Sequence, residues 1–359
     1  MKDNNTPHII INNKSLDLSN IGSFAISNPF EASTVSFIEE WLSGQPIFEL
    51  QTSGSTGTPK KIKIKRSQME ASARQTMKAL DISKGNALVC LDTTYIAGKM
   101  MLVRALIHQM DIIAVTPGAN PLQGLTTPPD FAALVPLQVE AILTDEHSKK
   151  MLNSMKAIII GGAPVSNHLA KQIESLQVAA YATYGMTETV SHIALKRLNG
   201  FEKNDTYVAF DEVKLSLDDR GCLTIQSAVT DGEKIITNDI VDLKTEHTFE
   251  WLGRIDNVIN SGGVKIQSEK VERVIEKIFS ELDISKRFFI AGIDDSKLGK
   301  KVVMVVESEH PLPETEINEQ LKKMVSKYEI PKQIFYIASF AETKTGKVNR
   351  GVILKEINF

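Results

Sequence analysis

Residues 157–166 read AIIIGGAPVS, and this stretch decides the fold class of the chain. Four apolar residues come first, two glycines allow a tight turn, and Ser166 is a residue type that often begins a helix. A buried strand that passes through a glycine turn into a helix is typical of α/β proteins. In open α/β sheets, ligands bind at the carboxyl ends of the strands, so this turn is also a candidate binding site.

Other apolar runs extend the pattern in both directions. Short runs separated by helical spacing predict further buried, largely parallel strands, and they lie at residues 87–91, 111–115, 141–144 and 178–182. Shorter alternating runs after about residue 205 predict an antiparallel region, and they lie at residues 212–217, 221–226, 234–237 and 249–252. The sequence therefore predicts one α/β domain over residues 1–255.

The last part of the chain has a different character. It predicts helices at 268–279 and 314–328 and strands at 265–266, 288–293, 302–308 and 333–337. We interpret residues 256–359 as a small C-terminal α+β domain. A chain of 359 residues is long enough for about two domains, at roughly 150 residues each.

Composition excludes several classes of protein. Apolar residues make up 42% and charged residues 24% of the chain, which is typical of a folded globular protein and not of collagen, coiled coils or disordered chains. Acidic residues number 44 and basic residues 41, so no global positive field would attract nucleic acid or an anionic membrane. Any anion must therefore be bound locally.

The cysteines and the N-terminus indicate the compartment. Cys90 and Cys222 form no CxxC pair, and Cys90 lies in an apolar run typical of a buried thiol. Residues 1–7 are polar, and no run of about 18 apolar residues occurs. We expect a cytoplasmic protein without a signal peptide or a membrane span.

A loop rich in glycine and hydroxyl side chains is the first candidate site. Residues 52–60 read TSGSTGTPK between predicted strands at 46–50 and 61–65. Hydroxyl and main-chain N–H groups can donate to phosphate oxygens, although a flexible linker is an equally open interpretation of the composition. The candidate phosphate-binding residues are Thr52, Ser53, Gly54, Ser55, Thr56, Gly57, Thr58 and Lys60.

Further motifs along the chain indicate the function of the loop. In order along the chain they are YGMTET at 184–189, Asp239 in TNDIVDL, GRID at 253–256, SGGVKIQSEKVE at 261–272 and TGK at 345–347. Together with the loop they resemble the adenylate-forming superfamily of acyl- and aryl-CoA synthetases, luciferases and adenylation domains. The resemblance implies a large nucleotide- and acid-binding domain followed by a small mobile domain, and the substrates ATP with Mg²⁺, an acid, and CoA as co-substrate.

The resemblance also implies roles for single residues. Glu188 would hold Mg²⁺ against the triphosphate, Thr187 would donate to the α-phosphate, and Tyr184 would stack on adenine. The remaining nucleotide-binding residues would be Gly162, Ala163, Pro164, Gly185, Met186, Asp239 and Arg254. From the residues alone, without the other motifs, a helix-capping Glu188 and a core Tyr184 are the favoured interpretation.

The resemblance implies that the C-terminal motifs serve the two steps of the reaction, adenylation of the acid and then thioester formation. Lys347 resembles the lysine that reaches the α-phosphate and the substrate carboxylate during adenylation. Asp256 matches the hinge about which the small domain swings. Gly263 and Lys265 fall where the family brings a strand to the site for thioester formation.

The segment 261–275 and the short chain length most resemble the o-succinylbenzoate:CoA ligases of menaquinone biosynthesis. Such an acid needs donors beyond the adenylation site, and our candidates are Lys99 first, then Ser191 and His192, although a solvated Lys99 is an equal alternative. About 100 N-terminal residues of longer relatives are missing, and Tyr95 stands where many relatives carry histidine. A ligase for another aryl or acyl acid, a stand-alone adenylation domain that charges a carrier protein, and a nucleotide-binding protein without turnover are the alternatives. No oligomeric state is predicted.

Overall fold

The computed structural model describes residues 7–51, 61–342 and 348–357. The helices are α1 (Pro29–Leu42), α2 (Arg66–Ala79), α3 (Ile96–Ile107), α4 (Pro136–Leu143), α5 (Glu146–Asn153), α6 (Asn167–Glu174), α7 (Ser268–Glu281), α8 (Glu314–Met324) and α9 (Arg350–Ile357). The strands of the first part are β1 (His8–Ile11), β2 (Lys14–Asp17), β3 (Ile47–Gln51), β4 (Lys61–Lys65), β5 (Asn86–Val89), β6 (Asp111–Ala114), β7 (Phe131–Leu134), β8 (Ala157–Ile160), β9 (Ala179–Gly185) and β10 (His192–Arg197). Those of the second part are β11 (Tyr207–Ala209), β12 (Lys214–Leu217), β13 (Cys222–Gln226), β14 (Ile235–Leu243), β15 (Thr248–Arg254), β16 (Val258–Ser261), β17 (Val264–Gln267), β18 (Phe288–Asp295), β19 (Gly299–Glu307) and β20 (Gln333–Ile337).

In the described part of the chain before residue 255, most strands join one large sheet of 13 strands, in the order β12-β13-β14-β15-β11-β10-β9-β8-β7-β5-β6-β1-β2. The strands from β9 to β1 are parallel to one another, whereas those from β9 to β12 pair antiparallel. Two apolar clusters cover the sheet. The predicted α/β class with parallel and antiparallel parts is confirmed, and both parts share one sheet.

The central strand β7 corrects one prediction. The apolar run at 141–144 is not a strand, because its first three residues end helix α4, which has Pro136 in its first turn. The strand is Phe131–Leu134, and all four of its residues are buried between β5 and β8. Short apolar runs of helices and strands look alike in sequence, and the proline was the signal that separated them.

An N-terminal hairpin, which the sequence analysis did not predict, extends the edge of the sheet. β1 pairs parallel with β6 and antiparallel with β2. Asn12 and Asn13 connect β1 and β2 with positive φ angles of 47° and 66°. Asparagine tolerates this left-handed backbone well, so an Asn-Asn pair between apolar and alternating residues is a hairpin signal.

The C-terminal elements form a second sheet with its own apolar clusters. Its other helices and strands lie close to the ranges predicted from sequence, except that α8 ends at Met324 and not at residue 328, and the strand β16 and the helix α9 are additions to the prediction. Helix α7 also touches the large sheet, where Arg273 Nη1 donates to the carbonyl of Leu252 (3.1 Å). The domain division at residue 256 stays a prediction. None of the described helices is both long and apolar enough to cross a membrane.

Candidate active site

A cavity of about 230 Å³ opens at the carboxyl edge of the parallel strands. Its walls come from the residues that follow β5, β7, β8 and β9, together with one face of α3. The strand-turn-helix stretch that decides the fold contributes Gly161 and Gly162, and Gly162 needs its glycine because its φ is +82°. The cavity therefore lies where open α/β sheets bind ligands.

The structure brings several predicted site residues to this cavity. Those that line it are Gly162, Gly185, Met186, Thr187, Ser191 and His192. Gly185 has a steric reason to be glycine, because a Cβ atom there would lie 2.4 Å from the Cα of His192 on the neighbouring strand. Ala163 and Pro164 follow Gly162 in an exposed turn and are not among the lining residues.

Glu188 lies beside the cavity and faces solvent. It belongs to a short 3₁₀ turn, Thr187–Thr189, that directly follows β9. Within residues 7–51, 61–342 and 348–357, no group of three or more His, Cys, Asp or Glu side chains is placed to hold a metal ion. Mg²⁺ on a nucleotide typically takes one or two carboxylates and completes its shell with phosphate and water, so an exposed Glu188 fits such a role.

A second group of polar side chains lies at the end of β9. Tyr184 Oη donates to Asp239 Oδ2 (2.7 Å), and Trp251 Nε1 donates to Asp239 Oδ1 (3.2 Å). Burial and the neighbouring Asp239 carboxylate raise the pKa of the Tyr184 phenol above its usual range. Asp239 lies opposite Arg254 in the register of β14 and β15. Strands distant in sequence thus bring Asp239 to Tyr184, which lies four residues before Glu188 in the chain.

Tyr184 is part of the core in this structure. It is 9% exposed, and its ring packs edge-on against Phe249 at 5.0 Å between ring centres. It is not among the residues that line the cavity. Its stacking on adenine therefore stays a prediction, and the observed role of Tyr184 is to hold the Asp239 carboxylate.

Arg104 is a charged cavity-lining residue that was not predicted as a site residue from the sequence. It lies in α3, lines the cavity and is only 1% exposed. In the described part of the chain no carboxylate lies within 4.0 Å of its guanidinium, and its Nε has no hydrogen-bond partner. Burial lowers the pKa of Arg104 to about 9. The signal in the sequence was an arginine inside the otherwise apolar run MMLVRALI.

The structure does not bring Lys99 to the cavity. The Lys99 Nζ lies 5.2 Å from the centre of the Phe37 ring on α1. At about 100° per helical residue, Lys99 points roughly 140° away from Arg104 around α3. Contact between Lys99 and an acid stays a prediction, and the geometry favours Arg104 for that role.

The remaining predicted residues lie between the end of β15 and the end of β17, or outside the described ranges. Asp256 accepts from Arg254 Nη2 (2.8 Å) and from Asn238 Nδ2 (3.2 Å), and these contacts, with Arg254 the larger cause, lower the pKa of its carboxyl group. Lys265 and Gly263 are exposed. Two predicted parts of the site lie outside the described residues: Lys347, and the loop 52–60 between the paired strands β3 and β4.

Comparison with known proteins identifies the family. The sequence model described as AMP-binding enzyme matches residues 22–223, more than half of the chain. The chain belongs to the AMP-binding enzyme family. The matched range includes the cavity-lining residues and Glu188, and it ends before Asp239 and the second sheet.

Individual relatives of this AMP-binding chain carry related names. A crystal structure described as an acyl-CoA synthetase (AMP-forming)/AMP-acid ligase II-like protein from Dyadobacter fermentans is 42% identical, with a TM-score of 0.64, and the match covers 94% of this chain and 98% of that one. The 2-succinylbenzoate--CoA ligase of Escherichia coli is 27% identical over 294 residues, which are 78% of this chain and 62% of that protein. The chain thus spans less than two thirds of the length of the E. coli relative.

Solved structures of lower identity share the fold. The o-succinylbenzoate CoA synthetase of Bacillus subtilis, in complex with the acyl-adenylate intermediate OSB-AMP, is 20% identical, with a TM-score of 0.71, and the match covers 85% of this chain and 68% of that one. The structure of the same protein in complex with ATP and a magnesium ion is 19% identical to this chain, with a TM-score of 0.70. At this level of identity the likeness shows the fold alone.

Proposed function

We propose that this AMP-binding enzyme is an ATP-dependent acid:CoA ligase that forms AMP and that its acid is o-succinylbenzoate. In the first step, a carboxylate oxygen of the acid attacks the α-phosphorus of ATP and expels pyrophosphate. In the second, the thiol of CoA attacks the carbonyl of the acyl-adenylate, loses its proton and expels AMP. Both steps depend on positioning and charge neutralisation more than on a protein nucleophile.

The observation that carries the choice of acid is the buried Arg104 guanidinium. A buried charge without an opposite charge is costly, and a carboxylate in the cavity would compensate it. The acid's reacting carboxylate must reach the nucleotide, so the Arg104 partner has to be a second carboxylate. o-Succinylbenzoate has two carboxylates, whereas benzoate or a simple fatty acid has one and would leave Arg104 unpaired.

The nucleotide end of the site supports the adenylation step. We assign Thr187 to the α-phosphate, Asp239 to the ribose hydroxyls and Glu188 to magnesium, which when bound would neutralise the charge of the triphosphate. The Asp239 carboxylate already accepts from Tyr184 and Trp251, which fix its orientation. The phosphate loop 52–60 and Lys347 enter this proposal through the resemblance of their motifs.

The thioester step is assigned to the second sheet. Gly263 and Lys265 would approach the cavity after the small domain turns about Asp256. In the structure Asp256 is paired with Arg254 and Asn238, all at the junction of the two sheets, so the hinge residue is already in contact with the nucleotide end. CoA would enter as the co-substrate of this second pose.

The test is AMP release by the purified chain with ATP, Mg²⁺, CoA and o-succinylbenzoate, with the thioester detected by mass. We expect the o-succinylbenzoyl thioester, and little product with benzoate. Strong product with other aryl acids would favour a different acid:CoA ligase. Acid-dependent pyrophosphate exchange without any CoA thioester would favour an adenylation domain that charges a carrier protein. ATP binding without any acid-dependent pyrophosphate exchange would refute the proposed enzymatic activity.

Two lysine variants test the assignment of the steps. We expect Lys347→Ala to bind ATP and to lose most of its acid-dependent ATP/pyrophosphate exchange. We expect Lys265→Ala to keep exchange and to lose thioester formation. Exchange at the wild-type rate in Lys347→Ala would refute the first assignment.

A further inference from the structure

We propose that His192 is a positioning residue that, as a neutral imidazole, orients Arg104 toward the second carboxylate of the acid. This inference rests on the proposed function. His192 is 5% exposed, and it belongs to a continuous series of hydrogen bonds that runs from α2 to the Arg104 guanidinium. We call Thr76, His192, Ser191 and Arg104 the relay.

The direction of each hydrogen bond in the relay is fixed by its first member. Thr76 Oγ1 donates its single proton to the carbonyl oxygen of Ser72 (2.9 Å). Toward His192 Nε2, at 3.1 Å, Thr76 Oγ1 can therefore only accept, so the proton of the ring sits on Nε2. His192 Nδ1 is left with a lone pair.

The lone pair on His192 Nδ1 sets the rest of the relay. Ser191 Oγ lies 3.3 Å from Nδ1 and donates to it. The Ser191 hydroxyl then has only acceptor capacity left, and Arg104 Nη2 donates to it at 2.9 Å. A hydroxyl that is forced to accept suits a guanidinium, which carries donors only.

The neutral state of His192 follows from its surroundings. Burial, and after it the positive charge of Arg104, lower the pKa of His192 well below its ordinary value. An imidazolium would place a proton on Nδ1 and a second cation beside Arg104. That proton would force Ser191 Oγ to accept from both sides, and the hydroxyl proton would lose its partner.

A strained turn presents Ser191 to Arg104. Val190 has φ +65° and ψ −54°, is 1% exposed, and is β-branched, a residue type that strongly disfavours this backbone. Ser191 N donates to the carbonyl of Thr189 across it (2.7 Å), which forms a γ-turn. Thr189 Oγ1 secures the turn, because it accepts from Met186 N (3.0 Å) and donates to the Ser191 carbonyl (2.7 Å). Strain of this kind persists where the surroundings impose it, and it is concentrated at functional sites.

The turn and the relay together hold the acid end in one arrangement. Glu188 faces solvent, whereas Ser191, three residues on, faces the cavity. With Nη2 held by Ser191, the Arg104 Nε remains without a partner in the described part of the chain. A guanidinium with a fixed plane and free donors binds a carboxylate with less loss of side-chain freedom than a guanidinium that can rotate.

The kinetic test uses two variants that break the relay at different points. Thr76→Val removes the acceptor for Nε2–H with almost no change of shape, and His192→Phe keeps a ring against Phe210. We expect each to raise the KM for o-succinylbenzoate about tenfold, the size of one lost hydrogen bond, with the KM for ATP unchanged. His310→Phe, an exposed histidine of the second sheet's domain, is the control and should change neither constant.

A double-mutant cycle separates positioning from a structural role. In an Arg104→Met background we expect Thr76→Val and His192→Phe to have no further effect on acid activation, because there is no guanidinium left to orient. If either variant lowered activity by the same factor in both backgrounds, or raised both KM values equally, the proposal would be overturned. If His192→Phe fails to fold, the double-mutant cycle is measured with Thr76→Val and Arg104→Met alone.

A spectroscopic measurement tests the relay even if the chain activates no acid. In ¹⁵N-histidine-labelled protein at pH 7, we expect His192 to be neutral with its proton on Nε2, and Thr76→Val to alter that signal. A protonated ring, or a proton on Nδ1, would overturn the relay. Absence of all acid-dependent turnover with the expected His192 signal would instead refute the proposed function alone.

Discussion

The proposed acid end of this site, around Arg104, and the proposed nucleotide end, around Asp239, handle charge in opposite ways. At the nucleotide end the charged groups have protein partners: Asp239 holds Tyr184 and Trp251, and Asp256 pairs with Arg254. At the acid end, Arg104 is buried without a carboxylate within 4.0 Å among the residues described. We therefore expect the proposed nucleotide end to be balanced by the protein itself, and the proposed acid end to be completed by a ligand that brings negative charge.

The largest expected effect comes from removing the unbalanced charge. We predict that Arg104→Met lowers kcat/KM for o-succinylbenzoate by about 10²- to 10³-fold, since loss of a buried charged contact costs roughly 2–5 kcal/mol. In the free protein, the same variant should have a free energy of unfolding about 1–4 kcal/mol higher, because an apolar side chain avoids the desolvation of a buried charge. It should therefore unfold at a higher temperature. Calorimetry and steady-state kinetics measure the two effects.

The control for this prediction is Arg74→Met, which changes an exposed arginine of α2 paired with Glu70. It should leave both activity and the unfolding temperature nearly unchanged. Full activity of Arg104→Met would contradict the proposal that the buried Arg104 binds a carboxylate of the acid.

The next effect is expected at the nucleotide end. Asp239→Asn keeps the shape of the side chain but replaces one carboxylate oxygen with a donor, which opposes the hydrogen bond from either Tyr184 or Trp251. We predict about a tenfold rise in the KM for ATP, with little change in the KM for the acid. Asp242→Asn, at an exposed position of the same strand, is the matched control. A rise confined to the acid KM would contradict the assignment of Asp239.

Lys99 offers a smaller test of which cation serves the acid. The sequence alone predicts that Lys99→Ala raises the KM for o-succinylbenzoate far more than that for ATP. The observed position of Lys99 over Phe37 leads us to expect less than about a threefold change in either constant, the size of a lost surface contact. A large and selective rise in the acid KM would restore Lys99 to the site and weaken the case for Arg104.

The smallest expected effect lies outside both ends, in helix α7. Burial, and after it the neighbouring Glu272, raise the pKa of Glu276 to about 7. The folded state then holds a proton that the unfolded state releases near pH 4.5, so stability falls as the pH rises from about 4.5 to about 7. We predict that Glu276→Gln raises the unfolding temperature at pH 8 and leaves it unchanged at pH 4. Exposed Glu281 on the same helix is the control, and an equal gain at both pH values would contradict this account.

Much of the fold could be predicted because it depends on local pattern. The stretch at 157–166 has a strand period, a glycine turn and a helix cap in succession, and the structure has β8, the turn and α6 in that order. The carboxyl edge of the parallel strands then brings Gly162, Gly185 and Thr187 together, because parallel strands end at the same edge.

The features that escaped prediction depend on contacts between distant segments. The bond between Tyr184 and Asp239 depends on how β9 and β14 lie in a sheet of 13 strands, and no local pattern encodes that position. The role of Arg104 depends on which face of α3 meets the cavity. Apolar residues occur all around α3, so the sequence does not indicate which face that is. The strain at Val190 is likewise imposed by its neighbours.

The most direct measurement is a crystal structure of the chain with o-succinylbenzoyl-AMP bound. We predict that the carboxylate of the acid that is not joined to AMP lies within about 3 Å of the Arg104 guanidinium, the distance of a charge-assisted hydrogen bond, with Arg104 Nη2 still held by Ser191. If this free carboxylate lay in solvent or on another cation, with no carboxylate beside Arg104, the proposed role of Arg104 would be contradicted.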